Sequence, residues 1–295
     1  MLRDHFKLIF IVLITSSVLS QQQEQEQKYL FVGHAYGSPN QKDKKIDPSL
    51  TNFLKINDIN FDKLILGGDF IYDCDDIEEL NNFNLFYNQY KPYFILGNHD
   101  LCSELIDFSI NTFGGDNYYK IIDSNLLLFI NTSFENKDKI KKTISYINHK
   151  IDSIKPNNVL LFTHQVIFSK NDFYLRTNSR TYYDYGNRFY DHIFKKYYNS
   201  KYNFYFFSGD IGAFPYTPYA FYDNSNNFNF YAAGLGNGKH NKGILLKLDK
   251  NVAVQFVDLV KGNIESKNKY SKIKVQLYQL PKLLASKVRD FLKKY

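Results

Sequence analysis

Leu64-Ile65-Leu66-Gly67-Gly68-Asp69 and, 28 residues beyond that aspartate, the stretch opening Gly97-Asn98-His99-Asp100 decide how this chain is read. Each comes after a short apolar run, and a run of that length bounded by turn residues reads as a buried strand. Glycine then lets the backbone turn sharply. Past the turn stands a carboxylate, an amide or an imidazole, the side chains that bind hard to borderline divalent metals. The pattern recurs three more times. Tyr29–Val32 leads into Gly33-His34-Ala35-Tyr36-Gly37, Val159–Phe162 into Thr163-His164-Gln165, and Tyr202–Phe207 into Ser208-Gly209-Asp210-Ile211-Gly212. One Gly-Asp pair is an ordinary turn. Five strand ends carrying such residues point to one site, because open α/β sheets place their ligands beyond the carboxyl ends of the strands.

Working outward, Tyr93–Leu96 and Leu126–Ile130 complete the set of buried strands. Helical patterns over Ile77–Tyr90, Ser103–Phe113 and Asp138–Ile154 separate several of them, a βαβ rhythm. The last third changes character: Ala220–Asp223, Phe228–Ala233, Gly243–Leu248 and Val252–Leu259 read as consecutive strands with Gly or Asn turns. The expected architecture is α/β, a two-sheet β-sandwich flanked by α-helices. Residues 167–188 form a long polar and aromatic insert between two strands, the kind of loop that serves as a lid or binding loop.

Gly68-Asp69 followed by Gly97-Asn98-His99-Asp100 resembles the calcineurin-like metallophosphoesterases, and the resemblance spans roughly residues 28 to 260. It implies the family's four-layer fold, a cofactor of one or two divalent or mixed-valence metal ions (Mn, Fe or Zn), and a phosphate mono- or diester substrate attacked by a metal-activated hydroxide. Residue by residue, it implies that Asp69 bridges two metals, that Asn98 and the strand-end His164 are ligands, and that His99 assists the leaving group with Asp100 orienting it.

Two family motifs are altered. The opening Asp-x-His-Gly corresponds to His34, Ala35, Tyr36 and Gly37; the closing Gly-His-x-His corresponds to Gly209, Asp210, Ile211 and Gly212. One metal would then see Asp69, Asn98, His164 and Asp210. The other would see His34, Tyr36 and Asp69, with nothing from Gly212, so a histidine placed at 212 is expected to restore the missing ligand. Gly68-Asp69-x-x-Tyr72 also matches the spacing of the tyrosinate ligand in purple acid phosphatases, against an ordinary packed tyrosine. The alternative to an enzyme is a catalytically weak or inactive binding protein that kept the fold. Retention of His99 argues for the enzyme, since a scaffold has no use for it.

The remaining features set the context. Arg3 and Lys7, the apolar run Leu8–Ile14, and the small residues Val18 and Ser20 read as a signal peptide over residues 1–20, hence a protein that is secreted or in the secretory-pathway lumen, with an uncleaved anchor as the alternative. A single domain is expected over 28–262, with a basic tail over 263–295. The net charge of +7 lies in that tail, which has nine Lys or Arg and two acids. A neutral main domain gives no basic working face, so no specific nucleic-acid partner is expected. No transmembrane segment is read either. The tail suggests at most weak contact with an anionic surface; a helix packed on the domain is the plainer reading, with Leu284, Val288, Phe291 and Leu292 on one side. Before it, Ile273, Val275 and Leu277 alternate like a strand. Cys74 and Cys102 are expected to pair, bracing the two metal-bearing loops, with two free thiols as the alternative. His149 and His192 read as surface residues, and His240, in a glycine-rich stretch, as part of a turn. Asn131-Thr132-Ser133 is a glycosylation sequon. The 27 Phe and 25 Tyr help to supply a real core, and their abundance otherwise reads as compositional bias without functional content.

Overall fold

The computed structural model describes residues 26–38, 45–56, 58–133, 136–167, 177–178, 189–214, 217–236, 238–277, 280–281 and 284. Residues 1–20, expected to be a signal peptide, and nearly all of the 167–188 insert lie outside them. Among the described residues, twelve strands form two six-stranded sheets. The first has the order β12 (Asn263–Glu265), β11 (Val252–Asp258), β10 (Lys242–Leu248), β1 (Gln27–Val32), β2 (Lys63–Gly67), β3 (Tyr93–Ile95). The second runs β4 (Tyr118–Ile122), β5 (Asn125–Ile130), β6 (Asn158–Thr163), β7 (Asn203–Ser208), β9 (Phe228–Ala233), β8 (Ala220–Ser225). β1, β2 and β3 are parallel, as are β5, β6, β7 and β9; β10, β11 and β12 continue the first sheet antiparallel from β1, and β4 and β8 pair antiparallel with β5 and β9.

Alternation along each strand sorts side chains into layers. Phe31, Ile65, Ile95, Phe129, Phe162 and Phe207 point between the sheets. Leu30, Val32, Leu64, Leu66 and Phe94 point outward and cluster with residues of α1 (Pro48–Ile56), α2 (Ile77–Tyr90) and α3 (Ser103–Phe113). Leu126, Leu128, Val159, Leu161 and Phe206 do the same with α4 (Lys137–Ile154) and the helical segment 190–197. The result is the expected sandwich with helices on both outer faces.

The aromatic content has a structural use that composition did not reveal. Tyr118, Phe129, Phe162, Phe207, Tyr231 and Tyr222 are register partners across all six strands of the second sheet. Their rings stack in sequence at centroid spacings of 4.5, 5.0, 5.0, 5.4 and 4.9 Å. Such cross-strand pairs lock register, since a one-residue slip would turn every ring to the opposite face.

The tail departs from the expectation of a strand. Residues 272–277 are helical, with Val275 buried and Ile273 and Leu277 exposed. Alternation of three apolar residues failed as a guide because only one of them packs. Leu284 is helical but 56% exposed, so the apolar side expected to face the domain is not buried there; 285–295 lie outside the described residues. No helix among the described residues is long and apolar enough to cross a membrane.

Candidate metal centre

The two parallel strand sets end at the same place. Gly33 after β1 bridges to Gly234 after β9, with its N–H donating to Ala233 O and its carbonyl accepting from Leu235 N–H. A side chain on Gly68 or Gly97 would run into the His164 ring or the Asp69 carboxylate, so glycine is needed at both loops. His34 and Asp69 both adopt φ near +50° (51° and 53°), a conformation that costs non-glycine residues about 1–3 kcal/mol and concentrates at functional sites.

Asp69, His164 and Asp210 form a buried cluster whose ligand atoms lie within 4.8 Å of one another. His164 Nδ1 donates to the Gly67 carbonyl at 2.9 Å, because a carbonyl can only accept. That leaves the Nε2 lone pair facing Asn98 Oδ1 at 3.2 Å, Asp69 Oδ2 at 3.3 Å and Asp210 Oδ1 at 3.7 Å. One nitrogen lone pair and three acceptor oxygens repel one another unless a cation sits among them. Donors bound at about 2.0–2.2 Å to one ion stand roughly 3.0–3.5 Å apart, close to these spacings. The donor set therefore fits a divalent metal; without one, a proton on Nε2 serves the same electrostatic need. Burial works to lower the His164 pKa, but the Asp69 carboxylate, which pairs with its ring, and the Asp210 charge push it up to about 10. Burial likewise works to raise Asp69, and the imidazoles of His164, His34 and His99 hold it well below the usual carboxylate range.

Across Asp69 the site is poorer. His34 Nε2 lies 3.5 Å from the same Asp69 Oδ2 that faces His164. Burial lowers the His34 pKa to about 4, so its ring is neutral at ordinary pH and offers a lone pair without losing a proton. Tyr36 packs on His34 at 4.3 Å. Burial, then the Asp69 charge, push its phenol up, so it stays protonated and is a weak ligand. Tyr72 is 46% exposed and stacks on His99 at 5.1 Å. Gly212 cannot be repaired as expected. Its φ is +98°, and a Cβ there would press on the carbonyl oxygens of Leu235 and Gly234 at 2.9 and 3.0 Å. Gly212 N–H donates to Thr217 Oγ1.

Asp100 does something other than the resemblance implied. One oxygen accepts the N–H groups of Asp69 and Gly97 at 2.7 and 2.8 Å, and the other those of Phe70 and Ile71 at 3.1 and 3.2 Å. Burial and the Asp69 charge push its carboxyl up, against these four donors. With two N–H groups on each oxygen no place remains for a proton, so the anion is the form the loop is built around. The His99 ring is instead oriented by the Tyr72 carbonyl, which accepts from Nδ1 at 2.7 Å, while His99 N–H donates to Asp69 Oδ1 at 3.1 Å.

Other supports were not read from the sequence. Glu79, buried in the first turn of α2, accepts the N–H groups of Tyr72 and Asp73 at 2.5 and 3.0 Å and so fixes the carbonyl that holds His99. Asp76 three residues earlier caps that helix, and an Asp-x-x-Glu at a helix start was the available signal. Asn178, from the insert, donates its N–H to the Asp210 carbonyl at 2.9 Å; no sequence signal marks it. The Cys74–Cys102 disulfide forms, with Cα atoms 5.6 Å apart. His149 and His192 are exposed as expected. The sequon Asn131 is 1% exposed and its Oδ1 accepts Ser133 N–H, so as folded it presents no surface for a glycan.

No family model matches the chain, and no curated protein does. Among solved structures, a Staphylococcus aureus protein assigned as a 5′-nucleotidase and crystallised with α-ketoglutarate aligns at 10% identity and a TM-score of 0.42. The alignment covers 80% of this chain and 55% of that one, so the chain spans about half the length of that protein.

Proposed function

We propose that this chain is a metal-dependent phosphoesterase that holds one metal tightly and a second weakly. The observation carrying this reading is the His164 Nε2 atom ringed by Asp69, Asn98 and Asp210 oxygens, with His99 beside it. The residues of that ring would hold the tight ion, and His34 would hold the other on the far side of Asp69. When bound, such ions neutralise a phosphate and make a water molecule nucleophilic near neutral pH.

The chain's own residues do the rest. Asp69 Oδ2 is shared between the two histidines, and its Oδ1 is held by His99 N–H, so the carboxylate cannot swing. The Tyr72 carbonyl fixes the proton on His99 Nδ1, leaving Nε2 to exchange a proton with a leaving oxygen. Asn98 is exposed and His99 half-buried, so substrate reaches the site from their side. Export through a cleaved leader over residues 1–20 belongs to the same proposal, and the disulfide is in keeping with an oxidising compartment.

Metal content and hydrolysis of aryl phosphate mono- and diesters, measured together, test it. Asp69→Ala should lose metal and activity at once. His99→Ala should keep the metal and lose roughly 10²–10⁴-fold in turnover. The altered second side favours a rival, a binding protein that kept the fold. Wild type that loads no metal, with His99→Ala changing no rate, would establish the rival.

A further inference from the structure

A second candidate site uses none of the metal-centre residues. A cavity of about 500 Å³ is lined by His240, Lys242, Lys261, Lys269 and Lys274, by the carboxylate of Asp258, and by Tyr219, Tyr270 and a few apolar side chains. That volume is in the range that encloses a small organic ligand. Lys242, 5% exposed, forms part of its floor and pairs with Asp258 at 2.5 Å and Glu265 at 3.4 Å. Both carboxylates are already committed. The other Asp258 oxygen accepts the N–H groups of Val260 and Lys261 at 3.0 Å each. Glu265 also takes Lys269 Nζ at 2.5 Å and the Tyr270 hydroxyl.

Four lysines therefore stand against two carboxylates, which leaves two positive charges. Lys261 and Lys274 carry them and have no carboxylate partner among the described residues. His240, edge-on to Tyr219 at 5.6 Å, adds a further donor. Two net positive charges match a phosphate monoester, which carries close to two negative charges above its second pKa of about 6. The tyrosines, Pro218 and Val275 match an apolar or aromatic body.

We propose that this cavity binds a phosphate monoester carried on an apolar or aromatic body. The inference does not depend on the metal centre being catalytic. Two sources share the chemistry: the far end of the chain's own substrate, or a separate phosphorylated ligand. What speaks for the first is that Pro218 and Tyr219 directly follow Thr217, whose hydroxyl accepts the Gly212 N–H.

The test is calorimetric titration of phenyl phosphate into the full chain with EDTA present, so that metal-bound phosphate does not contribute. Phenyl phosphate should bind, and more tightly than inorganic phosphate. Lys261→Gln with Lys274→Gln should weaken it at least tenfold; both side chains are exposed, so folding should be unaffected. No binding, or binding that the double variant leaves unchanged, overturns the proposal. The sources separate on metal-loaded protein hydrolysing an aryl bisphosphate. A raised KM at unchanged kcat in the double variant assigns the cavity to the substrate's far end, and unchanged kinetics beside weakened phenyl phosphate binding assign it to a separate ligand. If no hydrolysis occurs at all, the phosphoesterase reading fails while the EDTA titration still decides the cavity.

Discussion

The carboxylate of Asp100 accepts the backbone N–H of Asp69 at 2.7 Å, so the residue that ends one metal loop holds the backbone of the other. Asp100→Asn keeps the shape but turns one acceptor into a donor that faces two N–H groups. Leaving buried donors unsatisfied costs about 1–3 kcal/mol each. The expected result is a loss of about 2–5 kcal/mol in denaturant unfolding, with metal affinity falling as the Asp69 loop loosens. A variant as stable as wild type would show that the four N–H bonds are not the loop's support.

Metal binding should depend steeply on pH. His164 is protonated in the metal-free chain because its pKa is pushed up to about 10, and a metal must displace that proton. Apparent affinity should therefore rise about tenfold per pH unit between about pH 7 and 9, with one proton released per ion, measured by calorimetry in buffers of different ionisation heat. The metal-free chain should show the opposite trend in stability. A folded pKa above the unfolded value near 6.5 stabilises fully below about pH 6.5, and that contribution disappears as pH rises through about 10. Affinity that stays flat across this window would place the metal elsewhere.

Gly212→His should destabilise the fold without restoring a ligand. The new side chain meets two carbonyl oxygens in a backbone conformation of φ +98°; such a conformation alone costs about 1–3 kcal/mol in a non-glycine residue. Thermal unfolding should shift down, and the second metal should bind no better. A gain in second-site occupancy would mean that the Gly234–Leu235 segment yields more easily than its packing implies.

Breaking the disulfide should weaken the site as well as the fold. Cys74 and Cys102 close a loop of 28 residues in sequence separation, for which chain entropy predicts about 3–4 kcal/mol. Paired Cys74→Ala and Cys102→Ala substitutions should lower stability by that order and weaken metal binding, because the bond joins the loop after Asp69 to the loop after Asp100. Unfolding curves and metal isotherms that overlay wild type would restrict the bond to a role outside the site.

The amino-acid sequence by itself determined most of the strands, though not β4 or β12, together with their glycine-bounded ends and the set of ligand-type residues placed there. Apolar runs and turn glycines are local features, and they act over a few residues. It did not determine which oxygen meets which nitrogen. The resemblance implied that Asp100 orients His99, yet three of its neighbours in space are N–H groups about 30 residues back in the chain. Gly212 was read as a lost ligand that could be replaced; only the approach of the Gly234–Leu235 segment shows that no side chain fits. The 25 Tyr and 27 Phe looked like bias until register aligned six of them into one stack across the second sheet. In the tail, the alternation of Ile273, Val275 and Leu277 suggested a strand because local pattern says nothing about whether a face will find a partner. Contacts between distant segments are set by packing, and packing depends on the whole chain at once.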